Sequence, residues 1–178
     1  MKIICIGDSN TWGYDPRSFW GEQYPSQCRW TDILGDKIAA TIVNEGENGR
    51  KTTDFSEKSY EDADYIVVML GTNDILEGKT ASETKSNMSC FLEKIPCKLN
   101  KAILIAPPAL ALGAWVSDPE QIMQSKLLGQ EYAALSRILG VRFVDAVSWE
   151  IPLCYDGVHF TEEGHRRFAE IIADIFDI

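Results

Sequence analysis

The feature that most constrains this chain is an alternation of periods. Short apolar runs of strand length are separated by longer segments whose apolar residues recur every three or four positions. That alternation predicts parallel βαβ units, since two parallel strands need a long crossover and a helix supplies it. Strands are expected at residues 2–6, 41–44, 65–70, 102–106 and 142–144. Several show no period of two, as expected of strands covered on both faces. Helices are expected over residues 31–40, 80–95, 119–139 and 162–176. Ile33, Leu34 and Ile38 mark the first, and Met88, Phe91, Leu92 and Ile95 the second, which Pro96 stops. Asp118 followed by Pro119 reads as a cap with a first-turn proline, and Gly140 as the matching terminator. Phe168, Ile171, Ile172, Ile175 and Phe176 form one stripe on the last helix. At 178 residues, this predicts one α/β domain of three layers, with five parallel strands and helices on both faces.

Charge narrows the partners. A formal net charge of -10 repels phosphate backbones and anionic lipid surfaces, so neither nucleic acid nor membrane is expected. The longest apolar stretch, residues 103–114, contains Pro107-Pro108 and is too short to cross a bilayer. The first residues read as a strand, not a signal peptide. Five cysteines, an odd number with no C-x-x-C pair, argue against a disulfide framework or a structural zinc site and for reduced thiols in a cytoplasm. Cys90 and Cys97 lie seven apart, a spacing compatible with one helix face, but each is expected to pack as a small apolar residue.

Parallel sheets present their functional loops beyond the carboxyl ends of the strands. Ser9 follows the first expected strand, Asn48-Gly49 the second, Gly71-Thr72-Asn73-Asp74 the third, and Asp156-Gly157-Val158-His159 lies beyond the fifth. A serine hydroxyl is a weak nucleophile without a base, and histidine suits that task near neutrality. Asp156 precedes His159 by three residues, so a turn can set its carboxylate against one ring nitrogen and leave the other to face Ser9. The bland alternative is a helix start capped by an aspartate. An acyl-transfer reaction also needs donors for its oxyanion. Asn73 offers an amide, Ser9 and Gly49 their backbone N–H groups, and Asp74 is placed to cap the following helix. An ordinary strand-to-helix turn would account for the Asn73 loop equally well, and an ordinary turn would account for the Gly49 loop better.

In order along the chain, Gly7-Asp8-Ser9-Asn10, the Gly49 loop, Gly71-Thr72-Asn73-Asp74 and Asp156-Gly157-Val158-His159 resemble the four blocks of the SGNH or GDSL-type esterases and lipases. The resemblance implies a catalytic triad of Ser9, Asp156 and His159. It implies an oxyanion hole of Ser9, Gly49 and Asn73, without metal or cofactor. The family's leucine is Asn10 here, and Gly49 is preferred to Gly46 because residues 50–53 resemble the family's continuation. Residues 7–13, 29–31 and 156–161 are most similar to the arylesterase and acyltransferase branch, which acts on short acyl esters. A G-x-S-x-G elbow is absent, so the sheet is expected to be flavodoxin-like and not of the α/β-hydrolase type.

Trp12 and Tyr14 are candidates for a pocket wall, Trp30 for the core, and Trp115 sits in a loop long enough to reach the site. His165 is expected to be a satisfied, partly buried histidine, and Asp8 to hold the nucleophile turn. Glu162 and Glu163 suit a solvated helix N-terminus. Three functions follow. The first is a serine esterase acting on a small ester through an acyl-Ser9 intermediate, by hydrolysis or by transfer to an alcohol. The second is a carbohydrate O-acetyl esterase. The third is a non-catalytic flavodoxin-like module whose hydroxyl-rich loop cradles a flavin phosphate. Metal catalysis through Asp8, Asp74, Asp156 and His159 lacks any H-E-x-x-H spacing. The aromatic loops are consistent with a dimer or larger homo-oligomer.

Overall fold

The computed structural model describes residues 1–55, 58–95 and 98–176. Five parallel strands, β1 (Lys2–Gly7), β2 (Thr41–Gly46), β3 (Tyr65–Met69), β4 (Ala102–Ala106) and β5 (Arg142–Asp145), lie in the order β2-β1-β3-β4-β5. This is the flavodoxin-like order, and it puts β1 inside the sheet between β2 and β3. Helices α1 (Ser9–Trp12), α2 (Trp30–Ile38), α3 (Thr72–Leu76), α4 (Ala81–Lys94), α5 (Pro119–Leu139) and α6 (Glu162–Phe176) complete the chain.

The three central strands are buried along almost their whole length because helices cover both faces. Alternation survives as a choice of core. Ile4, Ile6, Ile66, Val68 and Leu104 pack toward Met88, Phe91 and Leu92 of α4 and Leu128, Tyr132 and Leu135 of α5. Ile3, Cys5, Val67, Met69, Ile103 and Ile105 pack toward Trp30 and Leu34 of α2 and Phe168, Ile172 and Phe176 of α6. The edge strands β2 and β5 are only partly buried.

Local signals end the helices where expected. Asp118 caps α5 through the Glu120 N–H, Pro119 opens it, and Gly140 closes it in the left-handed region. Thr80 and Glu83 form a capping box at the start of α4. Asp74 therefore does not cap that helix. It lies in the first turn of the short α3, and its side chain points elsewhere, as described below. Neither α1 nor α3 was expected, since helices of four and five residues are too short to display a period. Cys90 is exposed, because the buried stripe of α4 runs through Ala81, Thr84, Met88, Phe91 and Leu92, and position 90 faces away from it. Cys97 and Pro96 lie outside the described residues.

Candidate active site

β1 delivers the nucleophile loop directly. Asp8 caps α1, its carboxylate accepting the Asn10 N–H at 2.9 Å, which is the turn-holding role expected of it. Burial raises the Asp8 carboxyl, and the Asn10 N–H opposes that shift. Ser9 thus sits at the first position of α1, where its N–H has no intrahelical acceptor. The short helix lies close over β2. The Asn44 amide donates to the Thr11 carbonyl at 2.8 Å, and a Cβ on Gly46 would come within 2.1 Å of the Trp12 nitrogen.

At the other end of the chain, Asp156 and His159 come from the loop before α6. The Ser9 hydroxyl meets His159 Nε2 at 2.9 Å, and His159 Nδ1 meets Asp156 Oδ2 at 2.7 Å. The second carboxylate oxygen, Oδ1, accepts the N–H groups of Val158 (2.9 Å) and His159 (3.0 Å). Burial alone would raise the Asp156 carboxyl; the His159 ring and these two N–H groups outweigh it and hold the group below the usual carboxylate range. Serine, imidazole and carboxylate, widely separated in sequence, form one buried relay.

The relay opens on a cavity of about 350 Å³ lined by Ser9, Tyr14, Asn48, Gly49, Asn73, Leu76, Trp115, Val158 and His159. Gly49 reaches it at φ +76° with open space where a Cβ would be. Gly46, the rival, ends β2 beneath α1 and lines nothing here. Asn73 donates one amide hydrogen to the Arg50 carbonyl at 3.0 Å, which orients its Nδ2 beside the Gly49 loop. Asp74, buried next to it, accepts the Thr52 N–H at 2.9 Å and the Thr52 hydroxyl at 2.6 Å. The β3 loop therefore grips the β2 loop through two adjacent side chains, a pairing across 22 positions that no local pattern announces.

The aromatic wall differs from expectation. Tyr14 lines the cavity with its ring centroid 4.7 Å from that of His159, but Trp12 does not line it. The second wall residue is Trp115, edge-on to His159 at 5.1 Å. Its loop is tied to the acid residue, the Trp115 N–H donating to the Asp156 carbonyl at 3.1 Å. Trp30 is fully buried as expected. His165 is fully rather than partly buried and only half satisfied. Nδ1 accepts the Trp30 N–H at 3.4 Å, while Nε2 has no hydrogen-bond partner among the described residues. Burial, aided by the nearby Arg29 guanidinium, pushes His165 down to about 3. A larger hollow of about 660 Å³ lies at the opposite end of the sheet beside Met1 and Thr41. It holds neither histidine, so size alone does not mark the site.

Among the described residues no group of three His, Cys, Asp or Glu side chains is arranged to hold a metal ion, and no helix is long and apolar enough to cross a membrane. The GDSL-like lipase/acylhydrolase family model matches residues 5–167. An acetylxylan esterase of Xylanibacter ruminicola is 26% identical over 211 residues, covering 97% of this chain; the chain spans 42% of that relative's length. An aryl esterase of M. smegmatis superposes with a TM-score of 0.83 at 25% identity, covering 98% of this chain and 97% of that one. A carbohydrate acetylesterase from Sinorhizobium meliloti gives 0.81 at 26% identity with the same coverage. With its blocks in order, its sheet in register and a family match over most of its length, the chain belongs to the GDSL-like lipase/acylhydrolase family.

Proposed function

We propose that this chain is a serine esterase acting on short-chain carboxylic esters through an acyl-Ser9 intermediate. The observation that carries the reading is the Ser9, His159, Asp156 relay opening onto a small cavity beside Gly49 and Asn73. His159 Nε2 takes the hydroxyl proton as Ser9 Oγ bonds to the ester carbonyl carbon. Asp156 holds the imidazole through Nδ1 and stabilises its positive charge. The oxyanion faces the Ser9 and Gly49 N–H groups and the Asn73 amide. Collapse breaks the carbon–alkoxy bond and His159 returns the proton to the departing alcohol. Water, or a second alcohol, then repeats the sequence on the acyl-enzyme and frees Ser9. Tyr14, Leu76, Trp115 and Val158 supply an apolar wall suited to a small acyl or aryl group.

Two relatives described as acting on acetylated carbohydrate favour a second reading of the same chemistry, removal of O-acetyl groups from sugars. Rates on p-nitrophenyl esters of increasing acyl length, set against acetylated xylose, separate the two. A flavin-phosphate loop accounts poorly for the site, because the Ser9 hydroxyl is already engaged by His159. The partner we propose is a small ester, without cofactor and with no nucleic acid or membrane surface, in keeping with the net charge. Free Cys5, Cys28, Cys90 and Cys154 support a cytoplasmic location, and exposed Phe19, Trp20 and Trp115 fit self-association. Ser9→Ala is expected to abolish turnover of p-nitrophenyl acetate and labelling by a fluorophosphonate. Turnover retained by that variant would refute the acyl-serine reading.

A further inference from the structure

His159 is anchored by its own loop on one side. Its N–H donates to Asp156 Oδ1 at 3.0 Å and its carbonyl accepts the Cys154 N–H at 2.7 Å. The opposite ends of the same two peptide units, the Val158 carbonyl and the Phe160 N–H, point the other way, toward the nucleophile helix, and there they meet one side chain. Asn10 Nδ2 donates to the Val158 carbonyl at 3.1 Å, and Asn10 Oδ1 accepts the Phe160 N–H at 2.9 Å. Val158, Phe160 and Asn10 are all buried, so these bonds are made away from solvent. Asn10 is itself held, its carbonyl accepting the Trp30 indole N–H at 3.0 Å.

We infer that Asn10 is a positioning residue that sets the separation of nucleophile and base: one residue beyond Ser9, its amide closes on both peptide units flanking His159. The Asp156 contacts orient the ring within its own loop but do not connect that loop to β1 or α1. Asn10 makes that connection. Its amide has one donor end and one acceptor end, matching the carbonyl and N–H it meets. An apolar side chain of the same size would leave both peptide groups buried and unpaired. The loop could then drift, and a displacement of about 1 Å between reacting groups costs on the order of a hundredfold in rate. Because Asn10 does not line the cavity, its effect belongs in kcat and not in KM.

The inference rests on the acyl-serine reading, and the test separates the two. With p-nitrophenyl acetate as substrate, Asn10→Leu is expected to lower kcat by about 10- to 100-fold with KM within about twofold of the parent. Asn10→Asp keeps the acceptor for the Phe160 N–H and loses the donor, so its kcat should fall by less. In a His159→Ala background, Asn10→Leu should change the residual rate by less than about twofold, since the base it positions is gone. An unchanged kcat in folded Asn10→Leu overturns the inference. So does an equal loss in the His159→Ala background, which would place the effect on Ser9 or on packing. Should Asn10→Leu fail to melt cooperatively, Asn10→Asp decides: a lower kcat at constant KM supports the role and an unchanged kcat overturns it. Failure of Ser9→Ala to abolish turnover would instead refute the underlying reading.

Discussion

Two histidines six residues apart occupy opposite kinds of environment. His159 has both ring nitrogens engaged, one by Asp156 and one by Ser9, and faces a cavity. His165, on α6, is flanked by the rings of Tyr24 and Phe160 and keeps one nitrogen without a partner among the described residues. Burial alone does not make an imidazole useful. A carboxylate that stabilises the cationic form and an acceptor route to substrate are what separate a base from a packing residue. Both residues are buried, so only their partners distinguish them.

The contrast can be broken from either side. His159→Ala should produce the largest effect, lowering kcat/KM for p-nitrophenyl acetate by about 10⁴-fold or more while the protein still melts cooperatively. Asp156→Asn comes next. It strips Nδ1 of its carboxylate and leaves His159 in a condition closer to that of His165. The expected loss in kcat is about 10³- to 10⁴-fold, and a loss under tenfold would mean that the carboxylate does little for the base.

His165→Leu should leave kcat within about twofold and act on stability instead. His165 is held at about 3 when folded against 6.5 ordinarily, so between those values the unfolded chain binds the proton that the folded chain refuses. Its contribution is therefore fully present above pH 6.5 and is lost as pH falls toward 3, at up to about 1.4 kcal/mol per pH unit. Asp15 opposes the shift and Arg29 supports it, but burial dominates. Urea unfolding of the Leu variant across this range should show a shallower decline than the parent. Parallel declines would assign the acid sensitivity to other groups, such as Asp156. That carboxyl is depressed in the folded state, so its stabilising effect is present above the ordinary carboxylate range and is lost as pH drops through its folded value.

Strand positions were legible because β-branched runs are buried on both faces, and the long helices because their stripes span several turns. Strand ends moved by one or two residues, as at β2, which continues to Gly46. That Ser9, Asn73, Asp156 and His159 converge was readable because loops beyond the carboxyl ends of parallel strands gather at one edge of the sheet. Which of two nearby glycines reaches the cavity was less so. The answer lies in one positive φ at Gly49 and in the closeness of Trp12 to Gly46, both set by tertiary placement. Trp12 and Trp115 were hard to rank for a related reason. A loop between β4 and α5 reaches the site through hydrogen bonds with residues more than 40 positions away. The Asp74 to Thr52 grip and the Asn10 clamp are equally non-local and leave no period behind.

The separation of Ser9 and His159 by 150 positions has a consequence for biogenesis. During synthesis β1, β2 and β3 leave the ribosome long before the loop that carries the base, so the pairs of the central sheet can form while the relay does not yet exist. Contacts of such sequence separation are closed late, because their loop entropy must be met first. On the acyl-serine reading, ester turnover is therefore a late reporter of folding, silent until the loop that carries Asp156 and His159 has been made and has closed on Ser9.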